Sequence, residues 1–520
     1  MSATGKSALR WLEIFGLLMI LVFAAYLRLA NVVDNPGWYS DEGTQLNLAQ
    51  NFARGHLQYM AIDQSILIVA RATLFPTVLA TMFRFMGEGI GTLRVLTGLL
   101  GVLSVATLYI VVRRISGARL ALLSALLLAI YPNAVIFSRI GFSYNLETPL
   151  VLLTCLGLWE YLKDRPPKWL LLAALAIGLG GLSDLTMFTL VLPFVIVVSA
   201  RRWRDLIWSL PLIALPFSAY ALLMLVSAPQ AFVYDLNFIL FRLGGLPIWI
   251  QPIELLVNYG TLLAQDYWIA LGLIGLFLLK PTRWRQLSLL MFLLPLLLIG
   301  RGTSGLATLG HRYLIPLLPF VAIGLAQVIE SIVPPVIQTI RNGLQALLYS
   351  WHWPRRGQAL LLTLLGSLSL FVLVISPLLI AVVLLANQIT TGLRTPVDDV
   401  LIDPLAARAA SQFINRESST EDVVIASPAL AWLLHAQVAD FQIALAAEGK
   451  STAHFPTDVP ADRFAFDPRY THAKFVVIDR VWRNWAALAM PEVATMMSEV
   501  VKWPLAFQAG EIDVYRNPAR

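Results

Sequence analysis

Charged side chains are scarce in this chain. Asp, Glu, Lys and Arg make up 13% of its 520 residues, where soluble domains carry roughly 25%. With 58% hydrophobic residues and a mean hydropathy of +0.72, an ordinary soluble globular protein is excluded and an integral membrane protein implied. Cysteine is nearly absent: the single Cys155 lies in an apolar run, so no intrachain disulfide exists and its role is packing. Histidine is rare, six in all, and no His cluster announces a metal site. No internal repeat of fixed period is present, which argues against the inverted-repeat plan of many secondary transporters. The first apolar segment, residues 11–30, lacks a small-residue cleavage site and is long enough to span, so it reads as an anchor.

The net charge of +7 is unevenly spread. Residues 397–520 hold 16 acidic and 11 basic side chains, so the excess of positive charge belongs to the apolar part before them. There it clusters in short loops between apolar runs, the pattern of the positive-inside rule rather than of nucleic-acid binding. At about 20 apolar residues per span, expected transmembrane helices fall near 11–30, 91–112, 118–138, 146–162, 168–184, 186–200, 205–227, 265–280, 285–300, 313–333 and 359–388. Residues 66–87 carry Arg71, Arg84 and a central Pro76, and read as a helix lying on the bilayer surface. With that segment excluded, RRISGAR (113–119), KDRPPK (163–168), SARRWR (199–204), KPTRWR (280–285) and the Arg341–Arg356 region all share the side of the N-terminal Lys6 and Arg10. That side is expected to be the cytoplasm, in a multi-pass plasma-membrane protein.

The opposite face then receives a first long loop, 31–90, a second, 228–264, and everything after about 390. The expected fold is all-α and polytopic, with about eleven transmembrane helices plus interfacial helices over 1–396. A small extracytoplasmic α/β domain follows over 397–520, with a helix in DPLAARAASQFINRES and strands at 422–427, 474–480 and 511–516.

On that external face Trp38-Tyr39-Ser40-Asp41-Glu42 sets two carboxylates side by side. Neighbouring side chains diverge, so one acid can meet a reacting group while the other holds a metal, an amide or a basic partner. The plain alternative is a solvated loop whose Ser40 or Asp41 caps the helix Gly43–Arg54. A second external turn, SRIGFSYNLETPL, carries Arg139 and Glu147, which either pair with each other or line a cavity. A third, GRGTSGLATLGHRYLIPLLPF, carries Arg301, His311, Arg312 and Tyr313, suited to a lipid phosphate or to ordinary headgroups. Asp184 is a cavity-lining or capping residue, and His56 an interfacial one. The 228–264 loop, with Asp235, Arg242 and Glu254, has the length of a functional lid.

A span, a DE pair in a long external loop, R-x(7)-E after the third span and RY-x-x-P-x-x-P entering a late span together resemble the GT-C membrane glycosyltransferases. Within that class the chain is similar to bacterial relatives of protein O-mannosyltransferases and of aminoarabinose transferases. The resemblance covers most of residues 1–330 in layout. It implies a polyprenyl-phosphate-linked monosaccharide donor, transfer on the external face, and a protein, lipid or glycan acceptor. It implies Asp41 as the base, Glu42 as its support or a metal ligand, and Glu147 as a second acid in the cavity. Arg139, Arg312, Tyr313 and His311 become candidates for the lipid phosphate. No cofactor is certain; Asp41, Glu42 and Glu147 would suit Mg or Mn. The chain departs from the family in reading AIDQSILIVARATLFPTV where relatives carry a His-Pro-Pro or Lys-Pro-Pro motif, which leaves Arg71 as the basic residue there. A polyprenyl-lipid flippase, a ligase of larger lipid-linked glycans and a scaffold that recruits partners through 397–520 are the competing readings.

The topology is checked by cysteine reporters at positions 116 and 400, which should label from opposite sides of the membrane. Labelling from one side would mean that 66–87 or another segment crosses.

Overall fold

The computed structural model describes residues 3–69, 73–163, 166–243, 251–300, 309–349, 353–370 and 398–520 apart from 451 and 453, with scattered positions between 372 and 392. Arg71 and Arg301 lie outside the described residues, as do the side chains of His311, Arg242 and Glu254.

The chain begins with α1 (Ala3–Leu29), α2 (Ser40–Ala53), α3 (Leu74–Met86), α4 (Ile90–Ser116), α5 (Ala118–Ile130), α6 (Pro132–Ser138), α7 (Tyr144–Leu162) and α8 (Lys168–Gly181). It continues through α9 (Val191–Arg202), α10 (Leu206–Ser227), α11 (Pro229–Leu243), α12 (Gln251–Gln265), α13 (Tyr267–Leu278), α14 (Thr282–Gly300), α15 (Leu318–Tyr349) and α16 (Trp353–Leu370). Each expected span overlaps a described helix, the last, 359–388, only as far as Leu370. Among the described residues five helical segments are long and apolar enough to cross a membrane, or seven if two bent pairs each count as one span. The expected eleven include α8, α9 and α13, of 14, 12 and 12 residues, which at 1.5 Å per residue reach only about 18–21 Å. The protein is an integral membrane protein. Among the described residues, 66–87 hold a 3₁₀ turn at Leu67–Val69 and α3, whose 13 residues would cover about 20 Å of a roughly 30 Å hydrocarbon core.

Two features shape the helical part. First, α13 and α15 cross in near backbone contact: a Cβ on Gly275 would lie 1.8 Å from Gly324 O, and one on Gly324 1.8 Å from Gly272 O. Small residues at that crossing replace the missing hydrophobic drive between helices in lipid with close van der Waals contact. Second, two buried arginines hold helix ends. Arg28 donates to Leu128 O and Ala129 O at 3.0 and 2.9 Å, capping α5 just before the chain bends by 58° into α6. Arg139 donates to Leu27 O, Ala30 O and Asn31 O, capping α1. Cations at helix C-termini satisfy the free carbonyls and oppose the helix dipole.

Beyond residue 397 the apolar pattern shortens to strand length. Strands β1 (Val423–Ile425), β2 (Gln437–Ala439), β3 (Phe475–Ile478), β4 (Leu505–Ala509) and β5 (Ile512–Arg516) form one sheet of order β2-β1-β3-β5-β4. β1 pairs parallel with β2 and β3, in register Val424↔Phe475, and β5 returns antiparallel to β3, Val477↔Val514. The expected helix is present at Pro404–Glu417, N-capped by the Asp403 carboxylate on Ala406 N. β2 and β4 were outside the expectation, each being short and weakly apolar.

This α/β unit is not a separate bead. One hydrophobic cluster runs from Trp38, Leu46 and Ile62 in the segment between α1 and α3 to Ile425, Leu430 and Trp482 around the sheet. Trp38 and Ile402 exchange both backbone hydrogen bonds at 2.9 Å. Arg463, buried, reaches out of the unit to Asp235 of α11 at 2.7 and 3.1 Å and to Ser65 O at 2.9 Å. The 228–264 segment is thus two helices, with α11 pinned from the far domain. Replacing Arg463 by Ala would leave the Asp235 carboxylate buried without its cation, at a cost of about 3–5 kcal/mol. Limited proteolysis should then cut the 398–520 region far faster than in the wild type; an unchanged digestion rate would refute the docking role.

Candidate functional site

The site is built at the N-terminus of α2. Tyr39 takes an extended conformation and caps the helix, and Glu42, at the third helical position, accepts from Tyr39 N at 2.9 Å. That is the reciprocal half of a capping box, and it turns the two neighbouring acids in different directions. Glu42 faces inward. Arg94, near the start of α4, meets it with Nε–Oε1 at 2.7 Å and Nη2–Oε2 at 2.6 Å, and Gly141 N donates to Oε1 at 2.9 Å. Both side chains are about 0–1% exposed. The remaining Arg94 donors go to Val32 O, Val33 O, Pro36 O and Gly37 O. Glu42 therefore has no oxygen left for a metal or a substrate, and its expected role shifts to positioning: it ties the loop after α1 to α4 and to the turn before α7.

Asp41 faces the other way and is 21% exposed, with Oδ2 4.0 Å from Nη2 of Arg312. Arg312 also donates to Tyr39 Oη at 2.9 Å and to Tyr313 Oη at 3.2 Å, and its Nε is buried without a hydrogen bond. Its guanidinium lies 5.9, 5.9 and 5.0 Å from the rings of Tyr39, Phe142 and Tyr313. Those rings pack with Tyr144 and Phe137, giving the cation an aromatic collar that holds it by cation–π attraction. Sequence elements 39–42, 142–144 and 312–313 thus converge, although some 270 residues separate Tyr39 from Arg312.

Other expected residues go elsewhere. Arg139 is fully buried and gives Nε, Nη1 and Nη2 to the carbonyls of Asn35, Leu27, Ala30 and Asn31, so it offers nothing to a lipid phosphate and acts as a helix cap. Its pairing with Glu147 is not formed. Glu147, in the first turn of α7, is buried and accepts from Thr186 Oγ1 at 3.1 Å, while its Oε1 has no hydrogen bond. Asp184 accepts from Thr186 N at 3.0 Å and caps the 3₁₀ turn Leu185–Leu190. His311 stands beside Arg312 in the 3₁₀ turn Leu309–Leu317. Among the described residues no three His, Cys, Asp or Glu side chains converge to hold a metal; the Asp41–Glu42–Glu147 set fails because Glu42 is saturated by Arg94 and two amides. Sequence reasoning missed Arg94. Its signal was available: a lone arginine inside the apolar run 91–112 requires a partner.

α2 is held from its other side too. A Cβ on Gly43 would stand 1.7 Å from Pro428 O, so the helix backbone lies directly on the loop that follows β1. The Thr44 and Tyr59 hydroxyls, 3.3 Å apart, connect to Asp440 Oδ2 at 3.3 Å. Asp440 is buried in the α/β unit, where burial pushes its carboxyl up to about 6.

A family model described as dolichyl-phosphate-mannose-protein mannosyltransferase matches residues 71–231, which include Arg94, Arg139 and Glu147 but neither Asp41 nor Arg312. Over the whole chain the structure resembles ArnT from Cupriavidus metallidurans bound to undecaprenyl phosphate, with a TM-score of 0.62, 14% identity, and coverage of 100% of this chain and 99% of that one. The fold is that of the GT-C membrane glycosyltransferases. The oligosaccharyltransferase AglB from Archaeoglobus fulgidus, solved with an inhibitory peptide and a dolichol-phosphate, gives 0.54 at 14% identity over 93% of this chain and 72% of that one. The arabinofuranosyltransferase AftD from Mycobacteria gives 0.51 at 15% over 98% and 40%. No curated protein sequence matches the chain. At these identities the likeness to GT-C structures is one of fold.

The unequal environments of the two acids give a direct test. Glu42→Gln leaves Arg94 buried against an amide and should lower stability by about 3–5 kcal/mol. Asp41→Asn, on the partly exposed side, should change it by less than about 0.5 kcal/mol. Thermal unfolding in detergent separates the two, and equal midpoints would show that Glu42 does not carry the site.

Proposed function

We propose that the chain is a membrane glycosyltransferase that moves a monosaccharide from a polyprenyl-phosphate donor to a hydroxyl acceptor. The observation that carries this reading is the Asp41–Arg312 pair: one partly exposed carboxylate and one cation, 4.0 Å apart, inside an aromatic collar and with Glu42 locked behind them. The GT-C fold and the family match support it.

A sugar joined to phosphate already has a good leaving group. What remains is to orient the acceptor, take its proton and stabilise the charge left on the phosphate. Asp41 is the base in this proposal. Arg312, with hydroxyls of Tyr39 and Tyr313 beside it, holds the departing phosphate through charge-assisted hydrogen bonds, and its unsatisfied Nε is a further donor. Donor binding separates the two side chains, freeing the carboxylate as the phosphate takes over the guanidinium. With one carboxylate at the reacting face, attack opposite the phosphate inverts the anomeric carbon and needs no covalent sugar–enzyme intermediate. Glu147 contributes its unpaired oxygen as a second acid lining the cavity. The acceptor is a protein, lipid or glycan on the external face, and the N-terminus is cytoplasmic.

One observation favours the flippase alternative. Two spans are broken, α5/α6 by 58° and α12/α13 by 100°, and the breaks are joined where Asp266 accepts from Tyr131 Oη at 2.7 Å and Asn133 Nδ2 at 2.9 Å. Broken helices at a charged residue are a feature of transporters.

Purified protein in lipid is tested with radiolabelled polyprenyl-phosphate monosaccharides. Asp41→Asn should lower turnover by about 10²–10⁴-fold with donor binding kept, and Arg312→Ala should weaken donor binding about tenfold or more. Saturable lipid binding without turnover of any donor, followed by transport across the bilayer, would establish the flippase instead.

A further inference from the structure

A groove of about 570 Å³ lies between the outer face of α2 and the α/β unit, lined in part by Asn47, Asn51, Gln58, Gln437, Trp432 and Phe466. It is separate from the Asp41 site. At 3.6 residues per turn, the groove residues of α2 sit roughly 130° around the helix from Asp41 and about 9–20 Å further along its axis.

Its chemistry is specific in three ways. First, the amides are held at one end. Asn51 Nδ2 donates to Gln58 O at 2.9 Å, Gln58 Nε2 to Met60 O at 2.6 Å, and Asn47 Oδ1 accepts from Met60 N at 2.9 Å. Among the described residues the opposite ends of these amides, and the whole of the Gln437 amide, make no hydrogen bond within the protein. Planar groups fixed in this way present donors and acceptors in set directions, which lowers the entropy lost on binding. Second, the Trp432 indole is fixed by Nε1 donating to Ala429 O at 2.9 Å and by its packing on Trp38, 5.5 Å between ring centroids. With Phe466 it adds a partly exposed aromatic surface. Third, the rim charges cancel: Arg54 and Glu88 stand 3.8 Å from each other, so the groove does not select an anion.

Fixed amides, aromatic faces and no net charge match a neutral ligand with a rim of hydroxyls and an apolar C–H face. We infer that this groove is a second carbohydrate site, which binds a neutral oligosaccharide segment away from the reacting centre. A glycan held there raises the local concentration of its other end near the membrane surface, and the inference does not depend on the transfer reaction proposed above.

The test uses the full chain in lipid nanodiscs, probed with an array of short neutral oligosaccharides and a matched array of unmodified peptides. At least one glycan should bind saturably, and His435→Ala/Gln437→Ala, at two groove-lining residues outside the core, should weaken it about fivefold or more at an unchanged unfolding midpoint. Asp41→Asn should bind the same glycan as tightly as wild type, which keeps this result independent of catalysis. Binding of no glycan, equal binding by the double variant, or binding of peptides alone would each overturn the inference.

Discussion

The buried Glu42–Arg94 pair is the constraint on which the site depends. Two charges removed from water are costly unless geometry is close and every other donor and acceptor is filled. Here the pair is bidentate, two backbone amides complete the carboxylate, and four carbonyls complete the guanidinium. Those six partners come from the loop after α1 and the turn before α7, and Arg94 itself from the start of α4. The pair therefore fixes where α2 begins, and with it the direction in which Asp41 points.

From that fixed point the arginines divide by environment. Arg28, Arg94 and Arg139 are fully enclosed and hold backbone carbonyls or a carboxylate. Arg312 is enclosed by rings instead, with one face toward Asp41 and its Nε unfilled. Arg94 and Arg139, surrounded by carbonyls, are structural because their donors are consumed, whereas Arg312, surrounded by aromatic faces, keeps a donor unfilled.

The α/β unit completes the arrangement from outside the membrane part. Gly43 lets the chain after β1 approach α2 more closely than any side chain would allow. Arg463 and Trp38 bind the unit to α11 and to the loop. In parallel sheets the carboxyl ends of the strands are the usual place for ligands; here the end of β1 leads straight into the contact with α2. The unit meets the site through the position of α2.

Much of this was legible in the sequence. Long apolar runs determine membrane insertion because hydrocarbon tolerates no unsatisfied backbone, so helices follow from composition alone. The 13-residue length of α3 agrees with the Arg84 and Pro76 that interrupt its apolar run, and the DE pair and Arg312-Tyr313 stood out as ionisable groups beside apolar runs. Strand β3 was readable from the run Phe475–Ile478, while β2, three residues long, was not. What the sequence could not decide was partnership. Asp41 and Glu42 are adjacent and chemically alike, and Arg94, Arg139 and Arg312 are identical side chains, yet one acid is sealed and the other open, and two of the arginines are consumed. Local pattern determines which residues are ionisable and where along the chain they sit. Only tertiary packing decides which charges are neutralised, because burial and partner geometry depend on segments as far apart as Tyr39 and Arg312.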